Sequence, residues 1–128
     1  MEYTNEELQQ MLANKQMSSD ALQALLKARE AGEIDFTLID IREVFEFTSS
    51  SIDGTDMLLP TSMIQNHLDK LEAKKEEPVI LYCRTGNRTG QVMMALERMG
   101  FDKIVHLSSG IISYGGATSH NAELPNEL

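Results

Sequence analysis

Residues 78–99 read PVILYCRTGNRTGQVMMALERM, and this stretch decides the fold. Its first part, residues 79–82, is a continuous apolar run typical of a strand buried on both faces of a parallel sheet. Its last part repeats apolar residues at helical spacing, at Val92, Leu96 and Met99. Cys83 therefore follows a strand and precedes a helix N-terminus. In an open α/β sheet, ligands bind where strand ends and helix N-termini meet.

Three further segments have the length and the apolar composition of strands. They are residues 36–41 (FTLIDI), 57–59 (MLL) and 103–107 (KIVHL). Helical patterns separate them, and right-handed crossovers between parallel strands place such helices on both faces of a sheet. Residues 2–4 are a candidate for a fifth strand. The sequence therefore predicts an α/β fold with a small parallel β-sheet of four to five strands and helices on both faces.

Two helices are predicted before the first of these strands. Thr4 and Glu7 have the spacing of a capping box, which predicts a helix near residues 5–14. A serine at position 18 or 19 can cap a second helix, whose apolar residues fall on one side. We expect both helices to pack on the sheet.

Three shorter helices are predicted later in the chain, besides the helix at residues 88–99. Residues 43–47 are predicted to form a single helical turn with the aromatic side chain of Phe45 facing inward. A threonine or serine at position 61 or 62 can cap a helix that leads to the central strand. The last short helix is predicted at residues 111–114, after a turn of small residues.

The bulk composition fits one ordinary domain. With 128 residues, 41% of them apolar, the chain is expected to bury a single core. We therefore predict one domain over residues 1–128, with helices in residues 1–33 and a loose polar tail in residues 117–128. The sequence has no run of 18 apolar residues and no signal-peptide pattern at its start. We expect a cytoplasmic protein with no membrane partner.

Charge narrows the class of ligand. The net charge of −9 makes nucleic acid an unsuitable partner, because binding to the phosphate backbone needs a basic patch. Residues 83–88, in contrast, contain two arginines and no acid. In an acidic protein this segment is a local positive spot that suits a small anion.

Cys83 is the only cysteine, so its chemistry is that of a free thiol. Only the thiolate is a useful nucleophile, and an ordinary thiol with a pKa of about 8.5 is mostly protonated at neutral pH. Three features of the sequence can lower that pKa: the following helix N-terminus, the turn amides around Gly86, and the cations Arg84 and Arg88. The alternative is an inert cysteine buried at a strand end.

The loop resembles the active-site loop of single-domain rhodanese-type sulfurtransferases. The family pattern is cysteine, arginine, any residue, glycine, any residue, arginine, then serine or threonine. It is matched by Cys83, Arg84, Gly86, Arg88 and Thr89. The resemblance extends over roughly residues 18–116, where LIDIRE at 38–43 and SIDGTDMLLP at 51–60 are similar to two further family segments.

The sequence also departs from the family pattern. Ser51 stands where the family commonly has histidine, and Asp53 where it often has proline. Ser109 with Gly110 replaces the usual glycine pair, and Tyr114 replaces a customary tryptophan. We expect these positions to shape the rim of the pocket and therefore the choice of substrate.

The resemblance implies a ping-pong transfer of sulfane sulfur through a persulfide on Cys83. It implies substrate binding by the rest of the loop, namely Arg84, Thr85, Gly86, Asn87, Arg88 and Thr89. The donor would be a small anion such as thiosulfate. Because the chain has no second thiol, the acceptor must come from outside, as cyanide, a small thiol or a thiol protein.

Asp40 and Arg42 lie at the end of the strand predicted at residues 36–41. A buried acid at a strand end usually has a partner, and Arg42 is the obvious one. Two interpretations follow. The pair can be a structural ion pair that fixes the turn after the strand, or it can border the active site and support it.

Other functions remain as alternatives. Cysteine-dependent phosphatases and arsenate reductases use a related loop, but their arginine is six positions after the cysteine, whereas Arg88 is five positions after Cys83. The shorter loop suits a sulfur atom better than a tetrahedral oxyanion. A sulfur-carrying or regulatory binding module without turnover is the second alternative. The three histidines lack ligand spacing, so we expect no metal site, and we expect no cofactor.

Overall fold

The computed structural model describes residues 3–127. It contains strands β1 Gln16–Met17, β2 Thr37–Asp40, β3 Ser51–Ile52, β4 Met57–Leu58, β5 Val79–Tyr82, β6 Ile104–Leu107 and β7 Thr118–Ser119. Five of these strands form one parallel sheet in the order β1-β6-β5-β2-β4, and β3 pairs with β7 in an antiparallel ribbon. The predicted α/β fold with a small parallel sheet is confirmed.

Helices cover both faces of this sheet, as predicted. They are α1 Asn5–Ala13, α2 Ser19–Glu30, α3 Val44–Ser49, α4 Leu68–Glu72 and α5 Asn87–Arg98, with 3₁₀ turns at Ile64–His67 and Ile111–Ser113. Leucines of α1 and α2 fill a core on one face, and α4 and α5 fill a second core on the other. At 12 residues, α2 and α5 are far shorter than the ~20 needed to cross a bilayer, and no helix of residues 3–127 qualifies.

The sheet places one loop at its centre. Strand β5 lies between β2 and β6, with Asp40 beside Tyr82 and Leu81 beside His106. All four residues of β5 are buried, which explains the uninterrupted apolar run. Because the strands are parallel, β2, β5 and β6 end at the same edge, and the loop after β5 opens there.

The fifth strand is not where the sequence suggested it. Residue 2 lies outside the described residues, while Tyr3 and Thr4 precede α1 without forming a strand. Thr4 instead makes both bonds of the predicted capping box with Glu7, so the chain turns helical at once. The edge strand is β1, which pairs with β6. Two residues between helices give too short a pattern to be read as a strand.

Two further expectations for the middle of the chain were wrong. Phe45 is 72% exposed, because α3 is a short helix that turns Phe47 into the core and Phe45 outward. No serine or threonine caps α4. Ser62 donates its hydroxyl to Glu43 instead, and the chain passes through a 3₁₀ turn before α4 begins.

Residues 118–119 and Asn126, in the segment predicted to be loose, are bound to the rest of the domain. Strand β7 pairs with β3. The side-chain amide of Asn126 accepts from the Leu58 amide at 2.7 Å and donates to the Leu58 carbonyl at 3.1 Å. In this way Asn126 pairs the open edge of β4 as a neighbouring strand would. Polar composition alone predicts a loose tail and cannot reveal such side-chain pairing.

Candidate active site

Cys83 follows β5 directly and is only 1% exposed. The loop of residues 83–89, called the Cys83 loop below, leads from its sulfur into α5. Gly86 and Thr89 are buried, Arg88 is half-buried, and the side chains of Arg84, Thr85 and Asn87 are exposed. The structure therefore places Cys83 at the sheet edge with Gly86 and Thr89 beside its sulfur, whereas the side chains of Arg84, Thr85 and Asn87 are open to solvent.

Backbone amides of the loop stabilise the thiolate. The Gly86 amide donates to Cys83 Sγ at 3.1 Å, and the Thr89 hydroxyl lies 3.7 Å from the same sulfur. Burial by itself raises the pKa of Cys83, but hydrogen bonds from Thr89, Gly86 and Arg88 outweigh it and lower the pKa below the ordinary value. Hydrogen bonds from the loop thus favour the thiolate form of Cys83.

Several amides of the loop have no backbone acceptor in the part of the chain that the structure describes. Within residues 3–127, the amides of residues 84, 85 and 87–89 have no backbone acceptor, since the helical hydrogen bonds start with Gly90 donating to Gly86. A left-handed residue followed by a helix N-terminus concentrates such amides around a small space. A negatively charged atom bonded to the Cys83 sulfur could accept hydrogen bonds from these amides.

A second turn, residues 108–110, holds the Cys83 loop in shape. The amides after this turn bind the loop carbonyls: Ile111 donates to Cys83 at 2.9 Å, and Ile112 donates to Arg84 at 3.1 Å. In a trans peptide the C=O and N–H groups point in opposite directions. The carbonyls of Cys83 and Arg84 point toward the turn, so the N–H groups of the same peptide units, which belong to Arg84 and Thr85, point away from it. The two turns thus fix the direction of the free donors.

The two turns also touch through glycine. A Cβ atom on Gly86 would lie 2.1 Å from the Ser108 carbonyl oxygen, and Gly86 has φ +100°. A Cβ atom on Gly110 would lie 2.1 Å from the Arg84 carbonyl oxygen. In the family pattern two glycines stand at positions 109 and 110, and this sequence keeps the second one. The substitution at Ser109 therefore does not affect the contact between Gly110 and the Arg84 carbonyl.

The side chain of Arg88 is bound to Glu46 of α3. Its two terminal nitrogens each donate to the Glu46 carboxylate at 2.8 Å. This bidentate bond from Arg88 holds the pKa of Glu46 at about 2, and Glu46 raises the pKa of Arg88. The charge of Arg88 is therefore compensated. Within residues 3–127, Arg84 has no ion-pair partner, so it is the loop cation with an uncompensated charge.

The predicted pair of Asp40 and Arg42 is present and buried, at 0% and 4% exposure. Arg42 donates from its side chain to both carboxylate oxygens, at 2.8 to 3.1 Å, and from Nη2 to the Ser50 carbonyl at 2.6 Å. Burial raises the pKa of Asp40, and the bonds from Arg42 offset part of this rise. The pair ties the end of β2 to the segment after α3, as a structural ion pair does.

A depression of about 460 Å³ lies beside the Cys83 loop. It is lined by Arg42, Phe45, Glu46, Ser49, Ser50, Arg84, Ile111 and Ile112. Phe45 is 72% exposed and Ile112 is 60% exposed, so both leave apolar surface open to solvent at this rim. Arg42 thus also borders the site, and the two interpretations of the Asp40 and Arg42 pair are compatible.

His106 belongs to the site although the sequence analysis did not include it. Its Nδ1 atom lies 2.8 Å from the Thr89 hydroxyl, which in turn contacts Cys83. One feature of the sequence pattern could have indicated it, since β6 is otherwise apolar. The pairing of His106 with Leu81, whose side chain shares a face with Cys83, depends on strand order and register, which the sequence pattern does not contain.

Comparison with known proteins agrees with this geometry. The sequence profile of the rhodanese-like domain matches residues 20–116. This chain belongs to the rhodanese-like domain family. Its rhodanese-like domain is 32% identical over 89 residues to a sulfurtransferase of Allochromatium vinosum, a match that covers 70% of this chain and 80% of that protein.

Larger proteins contain similar segments. The domain is 34% identical over 77 residues to a probable adenylyltransferase/sulfurtransferase of Mycobacterium tuberculosis, which covers 60% of this chain but only 19% of that protein. This chain therefore spans about a fifth of the length of that relative. Proteins of very different length thus share the rhodanese-like domain.

Solved structures share the fold. A rhodanese-related protein of Thermoplasma volcanium superposes with a TM-score of 0.68 at 25% identity, covering 83% of this chain and 98% of that one. A thiosulfate sulfurtransferase of Pseudomonas aeruginosa has a TM-score of 0.72 at 21% identity, covering 94% of this chain and 23% of that one. The second likeness is one of fold alone.

Two of the departures from the rhodanese family pattern, Ser51 and Tyr114, do not line the depression. Ser51 is buried in β3 and pairs with Ser119, while Tyr114 packs against the core under α1 and α2. Neither residue is among those that line the depression. The exposed apolar rim of this depression comes from Phe45 and Ile112, and the role of the substituted positions in substrate choice stays a prediction.

Proposed function

We propose that this rhodanese-like domain is a sulfurtransferase that carries sulfane sulfur as a persulfide on Cys83. One observation carries the proposal: a buried thiol with a lowered pKa sits inside a loop whose amide donors have no other acceptor. Such a loop stabilises negative charge on the cysteine sulfur and on a second sulfur bound to it. The sulfurtransferase names of relatives support the same class of reaction.

The reaction divides into two displacements. The Cys83 thiolate attacks the outer sulfur of thiosulfate, the sulfur–sulfur bond of thiosulfate breaks, and sulfite leaves with the bonding electrons. The resulting persulfide carries its negative charge on the outer sulfur, where the loop amides can bind it. Cyanide or an external thiolate then attacks that outer sulfur, and Cys83 leaves as a thiolate. No electron donor or acceptor beyond these reactants is needed.

Phosphatase or arsenate reductase chemistry is less well supported. A phosphate-binding loop directs its arginine at the oxyanion, whereas Arg88 gives both terminal nitrogens to Glu46. Asp40 is fully buried and paired with Arg42, so it is not placed to protonate a leaving group. The nearby acids are thus committed to arginines.

Arg84 is proposed to attract the anionic donor. We expect Arg84→Gln to slow persulfide formation from thiosulfate about 3- to 10-fold at low ionic strength, because a local positive charge raises the encounter rate with a dianion. The difference should shrink as salt is added. Stopped-flow measurements of the second-order rate constant over a range of salt concentrations test this.

Arg98→Gln is the matched control for that experiment. It removes the same charge from the other end of α5, about 16 Å from the loop at a rise of about 1.5 Å per residue. A similar loss of rate in both variants would mean that only net charge matters. If Arg84→Gln formed the persulfide as fast as the parent protein, Arg84 would have no role in attracting the sulfur donor.

The proposed function is tested by intact mass spectrometry after incubation with thiosulfate. We expect the protein to gain the mass of one sulfur atom, located on Cys83 by peptide mapping and removed by cyanide with release of thiocyanate. Protein alkylated on Cys83 beforehand is the control and should gain nothing. Repeated thiocyanate release indicates an enzyme, and a single release indicates a sulfur carrier. Absence of the adduct, or hydrolysis of p-nitrophenyl phosphate instead, would overturn the proposal.

A further inference from the structure

Three side chains form a line from the buried thiol toward the surface. Cys83 Sγ lies 3.7 Å from the Thr89 hydroxyl, and this hydroxyl lies 2.8 Å from His106 Nδ1. Cys83 is 1% exposed and Thr89 0%, whereas His106 is 7% exposed. The nucleophile and its hydroxyl neighbour are thus shielded from water, and the histidine is the member of the line with some solvent contact.

The Thr89 hydroxyl can donate its hydrogen bond to Cys83 or to His106. It has one hydrogen to donate, and in one arrangement it donates to the Gly86 carbonyl at 3.0 Å. That carbonyl also accepts the Gly90 amide at 3.1 Å. The carbonyl therefore stays satisfied when the Thr89 hydrogen turns toward Cys83 or His106. The hydroxyl is free to change its donor direction without leaving a buried group unpaired.

We propose that His106 is a positioning residue for sulfur transfer, which acts through Thr89 to remove the Cys83 proton and then to orient the Thr89 hydroxyl toward the thiolate. This inference rests on the proposed function, since it concerns the nucleophile of that reaction. It assigns a task to a residue outside the Cys83 loop and outside the motif of the loop.

Protons balance in two steps. In the thiol state, His106 carries its proton on Nε2, Nδ1 accepts from Thr89, and the Thr89 oxygen accepts from the Cys83 thiol. The thiol proton then moves to the Thr89 oxygen while the Thr89 proton moves to Nδ1, and the Nε2 proton leaves to water. His106 ends neutral with its proton on Nδ1, which donates to Thr89. Thr89 now donates to the thiolate.

The electrostatic surroundings suit this task. Burial lowers the pKa of His106, which favours the neutral ring, and a neutral ring has one nitrogen that accepts and one that donates a hydrogen bond. Two charged groups of α5 are paired: Arg88 pairs with Glu46, and Glu97 pairs with Lys15, which precedes β1. Arg98 of α5 and Glu6 and Glu7 of α1 have no ion-pair partner within residues 3–127. The titratable group at the other end of the three side chains is Cys83, which follows β5. Within residues 3–127, none of these charged side chains makes a hydrogen bond to Thr89 or His106, so none of them takes the place of the histidine.

The experiment measures the pKa of Cys83 from the pH dependence of its alkylation by iodoacetamide, together with single-turnover persulfide formation from thiosulfate. We expect His106→Leu to raise the Cys83 pKa and to slow both reactions about 5- to 10-fold at neutral pH, with recovery at high pH. His106→Asn should restore much of the pKa, because its amide can donate to Thr89. His67→Leu is the control for a histidine loss outside the site.

A second pair of variants guards against a folding defect in His106→Leu. Thr89→Ser keeps the hydroxyl, and Thr89→Val removes it with little change in shape. If His106 acts through Thr89, adding His106→Leu to Thr89→Val should change the Cys83 pKa no further. Additive effects, or an unchanged Cys83 pKa in folded His106→Leu, would overturn the inference. Alkylation needs no sulfur donor. If the protein forms no persulfide, the proposed function is contradicted, but the effect of His106 on the Cys83 pKa is still measured.

Discussion

Replacing Gly86 with alanine should reduce persulfide formation on Cys83 by at least about 100-fold. Gly86 has φ +100°, and its Cβ atom would lie 2.1 Å from the Ser108 carbonyl oxygen. Relief of that clash requires a shift of about 1 Å between the two turns, and displacements of this size in an active site cost rates of that order. The amide that donates to Cys83 Sγ belongs to Gly86 itself, so the shift misplaces a donor to the nucleophile.

The measurement is the single-turnover rate with thiosulfate, beside the Cys83 pKa. The variant should show a raised pKa as well as a slow rate, because the lost amide bond lowers the pKa in the parent protein. Gly90→Ala is the matched control: nothing lies within 4 Å of its added Cβ atom. Inside α5, alanine should leave the rate unchanged and stabilise the helix by up to about 1 kcal/mol. A Gly86→Ala protein with the parent rate would refute the geometry described for the two turns.

The sequence was informative where one periodic pattern decided the structure. The apolar run at β5, the helical spacing in α5 and the capping box of α1 each reflect local chemistry, and all three are present. The cysteine between β5 and α5 was therefore placed correctly at the sheet edge. Local signals were sufficient for this part of the site, because all of its residues are neighbours in the chain.

The sequence was uninformative where distant segments meet. Glu46 lies 42 residues before Arg88, and its carboxylate compensates one of the two cations that the loop sequence offered for anion binding. His106 lies 17 residues after Thr89, and only the register of β6 beside β5 brings them together. Strand order and register arise from packing of the whole domain, so no single stretch of sequence contains them.

Two short elements, β1 and α3, were also predicted wrongly, in place and in buried face respectively. Strand β1 has two residues and α3 has six, so neither carries a full hydrophobic period from which a buried face could be chosen. The consequence for function is the position of Phe45. An aromatic residue predicted in the core instead forms part of the exposed rim beside the Cys83 loop.

Arg42→Met should destabilise the protein by about 3–5 kcal/mol at neutral pH. Asp40 is 0% exposed, and in the parent its carboxylate receives the side-chain hydrogen bonds of Arg42. Methionine keeps much of the volume but leaves a charged, buried acid without its partner. The free energy of unfolding from urea denaturation measures the loss. Lys74→Met is the control, since its exposed pair with Glu77 should contribute less than about 1 kcal/mol.

The same variant should acquire a characteristic pH dependence. Burial raises the pKa of Asp40 even beside Arg42, and loss of Arg42 removes the opposing interaction and raises it further. Because the folded pKa then lies above the unfolded value of about 3.8, the stability of the variant should be highest at acidic pH and fall as pH rises through the folded pKa. Asp40→Leu combined with Arg42→Met should recover at least half of the loss and abolish this dependence. A single variant as stable as the double variant at neutral pH would show that the carboxylate is hydrated after all, and that Asp40 does not need Arg42 to hold the turn beside the Cys83 loop.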